Sequence, residues 1–123
     1  MGEFNMDDFK ERLAAASADC AWRDPGQEAK ADAGKLQITL VPRQIIRDIA
    51  EVRMYGNMKY GDPENWREVE PERYRDALCR HLLAYLDNPR STDRESGIRH
   101  LKHIACNVAF LCEMEKEAGN EPV

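Results

Sequence analysis

The 123-residue sequence predicts an all-α fold, a small bundle of three main helices preceded by an N-terminal arm or weak helix. Three observations point there. Apolar residues recur at three- and four-residue steps in three separate segments, prolines stand at the starts and ends of those segments, and only one short stretch alternates in strand fashion. Pro42 suits the first position of a helix over 43–60, with Ile45, Ile49 and Val52 on its buried face and Gly61 and Pro63 closing it. Pro71 opens a second helix over 71–87, with Leu78, Leu82 and Tyr85 inward and Pro89 as its stop. Asp93 or Ser96 can cap a third over 97–117, where Leu101, Ala105, Val108 and Cys112 trace a face that ends near Gly119.

Ahead of these, Asp7 to Trp22 carries a narrow stripe of Phe9, Leu13, Ala16 and Cys20 that Pro25-Gly26 ends, and Arg23 to Gly34 reads as a linker or weak helix. Residues 1–5 read as a cloning remnant before a start at Met6. Leu36-Gln37-Ile38-Thr39-Leu40 alternates like a strand, but nothing offers it a partner, so an extended arm is expected. The domain reading is therefore an N-terminal helix and linker over 1–34 and a helical domain over 35–118.

Composition narrows the function classes. A net charge of −5 with no run of Lys and Arg disfavours direct nucleic-acid binding, which depends on clustered cations releasing counterions. An acidic chain can still hold a polyphosphate through a divalent cation. No apolar stretch approaches bilayer length and the N-terminus has no basic-then-apolar leader, so no membrane role and a cytoplasmic location are expected. Cys20, Cys79, Cys106 and Cys112 lack CxxC spacing, and the last three fall among apolar helical residues, which argues for core thiols rather than zinc or disulfides.

The polar residues that a plain bundle helix would avoid concentrate from Glu51 to Trp66. Gly56 inside a helix costs about 1 kcal/mol relative to Ala, so a close approach by ligand or backbone would help explain it. Glu51, Tyr55 and Lys59 fall on one helix face; on spacing alone a solvated face is the plainer reading. Asn65-Trp66 offers an amide and a ring to a base, although a Trp closing a core is commoner. Asp76 and Arg80, one turn apart, ordinarily form an intrahelical pair, and His81 adds little alone. His100 and His103 are spaced to ligate a transition metal, with no third ligand evident; a satisfied interior or surface pair serves as well.

Leu40-Val41-Pro42, Glu51, Tyr55-Gly56, Lys59-Tyr60-Gly61, Asn65-Trp66, Tyr74, Asp76-Ala77-Leu78, Arg80-His81-Leu82-Leu83, Asp93, Glu95-Ser96-Gly97, His100-Leu101 and Asn107 form an ordered set. From about Gly34 to Glu115 this set resembles the N-terminal domain family of dATP/dGTP diphosphohydrolases, found in bacteria and phages and related to MazG-like all-α pyrophosphohydrolases. The resemblance implies hydrolysis of a purine deoxynucleoside triphosphate to monophosphate and pyrophosphate with Mg2+, or Mn2+ in its place. It implies Glu51, Asp76 and His81 as catalytic, Glu51, Asp76 and Glu95 as metal ligands, and Lys59, Asn65, Trp66, Arg80 and His100 as nucleotide-binding. The MazG pattern of close-spaced Glu residues followed by ExxD is not reproduced, since Met54 and the Asp76/Arg80 pair stand there, and Arg94 places a cation between Asp93 and Glu95. A non-catalytic, nucleotide-sequestering module, phage-derived, is therefore the alternative. Because three helices leave apolar surface uncovered in so short a chain, a homo-oligomer is expected.

Overall fold

The computed structural model describes residues 4–16 and 34–119, apart from the side chains of 14–16. The described residues fall into two units divided between Val41 and Pro42.

In the first unit, α1 (Met6–Ala16) begins where Asn5 Oδ1 accepts the Asp8 N–H at 3.0 Å, a side-chain cap on an otherwise unpaired helix donor. The expected continuation towards Trp22, with Cys20, and most of the linker after it lie outside the described residues. The arm expected at 36–40 is instead closed into a 3-10 turn over Ile38–Leu40. Leu40 N–H donates to the Gln37 carbonyl and Val41 N–H to that of Ile38, both at 3.1 Å. Lacking a partner strand, the backbone satisfies itself locally.

The second unit holds α2 (Gln44–Tyr60), α3 (Pro71–Asp87) and α4 (His100–Gly119), within a few residues of the spans read from periodicity. Among the described residues there is no strand, only an isolated antiparallel bridge between Thr92 and Arg99. Pro42 lies just outside α2, whose first turn closes through Ile46 N–H to the Arg43 carbonyl. Gly61, in the left-handed region at φ 74°, ends it by donating to the Asn57 carbonyl at 2.8 Å, a conformation costly for other residues. Pro71 opens α3 as expected, its missing N–H costing nothing in the first turn.

Asp93 and Ser96 do not cap α4. Asp93 Oδ2 accepts the N–H groups of Glu95 and Ser96 at 3.1 and 2.9 Å, inside a turn that Gly97 completes at φ 72°. The helix starts later, with the Arg99 carbonyl accepting from Lys102. This turn pins the α3–α4 connection against itself before α4 begins.

Helix α4 packs against both α2 and α3. The enclosed part is small: among the described residues only Trp66, Cys106 and Asn107 are buried. Trp66 comes from a 3-10 turn, Asn65–Glu68, and stacks on Phe110 of α4 with ring centroids 4.7 Å apart. Tyr74 of α3 tilts against the same Phe110, and its hydroxyl donates to the Trp66 carbonyl at 2.8 Å. Arg53 of α2 lies over Phe110 and donates to the Pro63 carbonyl, so three helices and the 61–70 connection meet at one ring.

The inward faces differ in part from those the pattern predicted. Ile49, Val52, Leu78, Tyr85 and Ala105 are half-buried, but Ile45, Leu82, Leu101, Val108 and Cys112 are exposed. On α4 the inward side is instead His103, Cys106, Asn107 and Phe110, a polar and aromatic row. Of the three helical thiols expected in the core, Cys106 is there, while Cys79 and Cys112 are exposed. No described helix is long and apolar enough to cross a membrane.

Candidate functional site

A cavity of about 910 Å³ opens within the second unit, between α2, α3, α4 and their connections. Its composition separates it from an apolar crevice. Carboxylates from α3 and the 88–99 connection (Asp76, Asp93, Glu95) and cations from α2 and α3 (Arg53, Lys59, Arg73, Arg80) line the same space. The amide of Asn65 and the phenol of Tyr55 join them.

Most of the residues singled out in the sequence therefore converge. Lys59, Asn65, Trp66, Asp76, Arg80, His81 and Glu95 all line the cavity; Glu51 and His100 do not. Glu51 accepts a hydrogen bond from Lys102 of α4 at 2.9 Å, and Asp48 stands near the same ammonium at 3.8 Å. Glu51, Asp76 and Glu95 thus do not form one cluster in this structure. Among the described residues the group of three or more metal-type donors within 4.8 Å of one another is His81, Asp93 and His100.

Asp76 and Arg80 are also not the pair their spacing implied. Neither makes a hydrogen bond or ion pair among the described residues, and both line the cavity. Lys59 differs: its ammonium is bonded to Glu95, and that bond raises its pKa above the ordinary range. Tyr55, four residues before Lys59 on the same helix face, has its phenol pKa raised by burial and by the Glu95 charge. Glu95 is accordingly the acceptor that gathers the Tyr55–Lys59 face of α2.

Gly56 lines the cavity with nothing within 4 Å of where a Cβ would stand. The close backbone approach that would explain it is absent, and a methyl there would project into open space. Trp66 is buried, stacked on Phe110 and overlain by the Arg67 guanidinium at 4.4 Å from its ring centre. It is the core-closing Trp of the plainer reading, with its ring faces engaged.

At the wall of the same cavity, which His81, Asp93 and His103 also line, the histidines form a knot that sequence spacing showed only by halves. His81 of α3 and His100 at the start of α4 approach with their Nδ1 atoms 2.8 Å apart. His103 stacks flat on His81, centroids 4.6 Å apart and 6° between planes, and its Nε2 is bonded to Ser96 Oγ at 2.7 Å. Burial, reinforced by the neighbouring His103 and His100, pushes the His81 pKa down to about 4, and burial lowers that of His103 as well. Burial opposes the charge of Asp93, but the Ser96 N–H and hydroxyl outweigh it and hold the carboxyl below its usual range. The joining of His81 to Asp93 and His100 was not visible in spacing, because it depends on the 93–98 turn folding back to α3. The Asp-x-x-Ser-Gly run at 93–97 is the local signal for that turn.

Comparison with known proteins agrees with this architecture's sequence signature. A dATP/dGTP diphosphohydrolase of Salmonella phage PMBT28 is 34% identical over 82 residues, which is 67% of this chain and 28% of that protein. The chain therefore spans under a third of that relative's length. No solved structure matches. The family model for the N-terminal region of dATP/dGTP diphosphohydrolases matches residues 25–121, and on that span the chain belongs to this family.

Proposed function

We propose that the cavity binds a purine deoxynucleoside triphosphate and that the chain serves its cleavage to monophosphate and pyrophosphate. The observation that carries this is the pair Asp76 and Arg80: a carboxylate and a guanidinium in one cavity, one turn apart, neither with a hydrogen bond or ion pair among the described residues. Earlier on the same helix a carboxylate and a guanidinium three residues apart do pair, Glu72 with Arg75 at 2.7 Å. Arg80 is the fork that takes phosphate oxygens, and Lys59 adds a point charge once it parts from Glu95. Asn65 supplies an amide for the base, while Trp66 shapes the wall rather than stacking on it.

The carboxylate oxygens of Asp76 and Glu95 fit Mg2+, which takes oxygen donors and keeps waters and phosphate oxygens in its shell. When bound, Mg2+ would neutralise phosphate charge and sharpen the electrophilicity of the α-phosphorus. Glu51 would join this set only from beyond the cavity, in exchange for its bond to Lys102. A water attacks the α-phosphorus, the bond from that phosphorus to the α–β bridging oxygen breaks, and Asp76 takes the water's proton. Arg80 and Lys59 balance the charge on the departing pyrophosphate. His81, whose Nδ1 is bonded to His100, lines the cavity and has only Nε2 left to offer a substrate.

The test is to incubate the purified chain with each of the four canonical dNTPs and their ribonucleotide counterparts, with Mg2+ or with chelator, and to resolve the products. Monophosphate and pyrophosphate in equal amounts, from dATP or dGTP first, is the expected result. Tight binding with unchanged nucleotide would replace cleavage by sequestration, and no binding at all would remove the nucleotide reading.

A further inference from the structure

Three groups outside the phosphate-binding set remain unused by the proposed reaction: the His81, Asp93, His100 knot, the exposed apolar rows of α3 and α4, and the exposed thiols of Cys79 and Cys112. The knot carries an inference furthest. We propose that His81, Asp93 and His100 form a binding site for a divalent transition-metal ion of the zinc class, distinct from the magnesium that accompanies a nucleotide.

Two imidazoles and one carboxylate are the set that borderline ions such as Zn2+ and Co2+ accept, and one that Mg2+, which prefers oxygen, does not favour. One ligand atom from each of the three residues lies within 4.8 Å of the other two. The spacing of the two nitrogens is informative. Zn–N bonds of roughly 2.0–2.1 Å meeting at the tetrahedral angle would set the nitrogens about 3.3 Å apart, so the hydrogen-bonded contact of 2.8 Å between His81 Nδ1 and His100 Nδ1 would open only slightly to admit an ion. The two rings face one another through these nitrogens, and a modest rotation of each would turn both lone pairs onto one ion. Their existing contact is a single shared proton, which an ion would displace while both protons sit on Nε2.

The surroundings hold these donors in place. Asp93 is oriented by two backbone N–H bonds to Oδ2, from Glu95 and Ser96. His103 lies flat against His81 and is itself tied to Ser96 Oγ, so it buttresses the site without being spent as a ligand. Metal sites owe much of their affinity to such outer partners. The three ligands come from the middle of α3, the turn after it and the first residue of α4. An ion held by them would clamp the α3–α4 hairpin at its connection.

The experiment uses chelator-stripped chain without nucleotide, titrated with Co2+ followed by visible absorption and with Zn2+ followed by calorimetry. One ion per chain is expected, with Co2+ bands of nitrogen-containing coordination that a large excess of Mg2+ does not remove. His100→Ala and Asp93→Asn should each weaken binding tenfold or more, with helicity by circular dichroism unchanged. Asn at 93 keeps an acceptor for the turn. Should His100→Ala fail to fold, His100→Gln provides the same comparison. In wild type alone, Zn2+ should raise the thermal midpoint, because a ligand that binds only the folded chain stabilises it. Absence of Co2+ and Zn2+ binding, binding that the variants leave unchanged, or displacement by Mg2+ would each overturn the proposal. Since no nucleotide is present, these outcomes are independent of whether the cavity cleaves one.

Discussion

Arg80 and Lys59 carry the same charge in the same cavity but start from different states. Arg80 has no hydrogen bond or ion pair among the described residues, whereas Lys59 must give up Glu95 before it can meet a phosphate. The exposed Lys59–Glu95 pair is screened by solvent and is worth little in stability, so exchanging it is inexpensive. Arg80→Ala is therefore expected to weaken dGTP or dATP binding by about 1.5–3 kcal/mol, the scale of a charge-assisted hydrogen bond. Lys59→Ala should cost less, and both should cost more for the triphosphate than for the monophosphate. Calorimetric titration with the two nucleotides at fixed Mg2+ and salt checks this; equal losses for both ligands would place these residues away from the β- and γ-phosphates. What spacing could not reveal is also clearest at this scale. Asp76 and Arg80 at i and i+4 read as an ion pair, and only the folded chain shows them apart.

The helices were legible because their signals are local: a repeat of three to four residues, Pro71 at a first turn, Gly61 at a last. The faces were less so, because the apolar row of α4 and its inward row are different rows. Leu101, Val108 and Cys112 follow the apolar period, yet the packed side presents His103, Cys106, Asn107 and Phe110 to α2, α3 and the Trp66 turn. A pattern rule puts apolar residues inward and has no means of seeing that a short chain lacks anything to cover them. The site followed the same division. Its residues on single helices were found, and the turn that brings Asp93 to His81 was not. The packed side of α4 also sets an alkaline limit. Burial pushes the Cys106 thiol from 9.0 up to about 11, and burial foremost pushes the Tyr74 phenol from 10.0 up to about 12. Both are neutral in the folded chain where the unfolded chain would ionise them, so their contribution is complete below pH 9 and is lost as pH rises through 11 to 12. The urea midpoint should fall steadily from pH 9 upward, and the fall between 9 and 11 should be shallower in Cys106→Ala. A midpoint unchanged from pH 8 to 11.5 would contradict this account.

For the whole molecule, the burial is thin for a chain of this size. Among the described residues no large side chain is fully buried, while Leu82, Leu83, Leu86, Leu101 and Val108 on α3 and α4 are all exposed. Leu82, Leu83 and Leu86 fall within about one turn of α3, and apolar exposure grouped in this way marks interaction surfaces more often than scattered single residues do. A second copy of the chain is the occupant we expect, since a self-complementary pairing covers the same rows on both partners. Sedimentation velocity at micromolar concentration should show a dimer or larger species, and Leu86→Glu or Val108→Glu should shift it towards monomer without loss of helicity. A wild-type monomer under those conditions would count against self-association.

Helix α4 is the partner of both α2 and α3, and the ties it makes with α2 include Lys102 to Glu51 at 2.9 Å, an exposed ion pair. Amide hydrogens should therefore report a graded structure. Those in the middle of α4, bracketed from two sides, should exchange slowest, and those of α2 faster than those of α3, which packs on α4 more extensively. Raising the salt screens the α2 pairs and leaves the aromatic contacts at Phe110 intact. The cavity wall contributed by α2 would then open on its own, more often than the rest of the chain unfolds, and its rate of opening would set how fast anything enters or leaves.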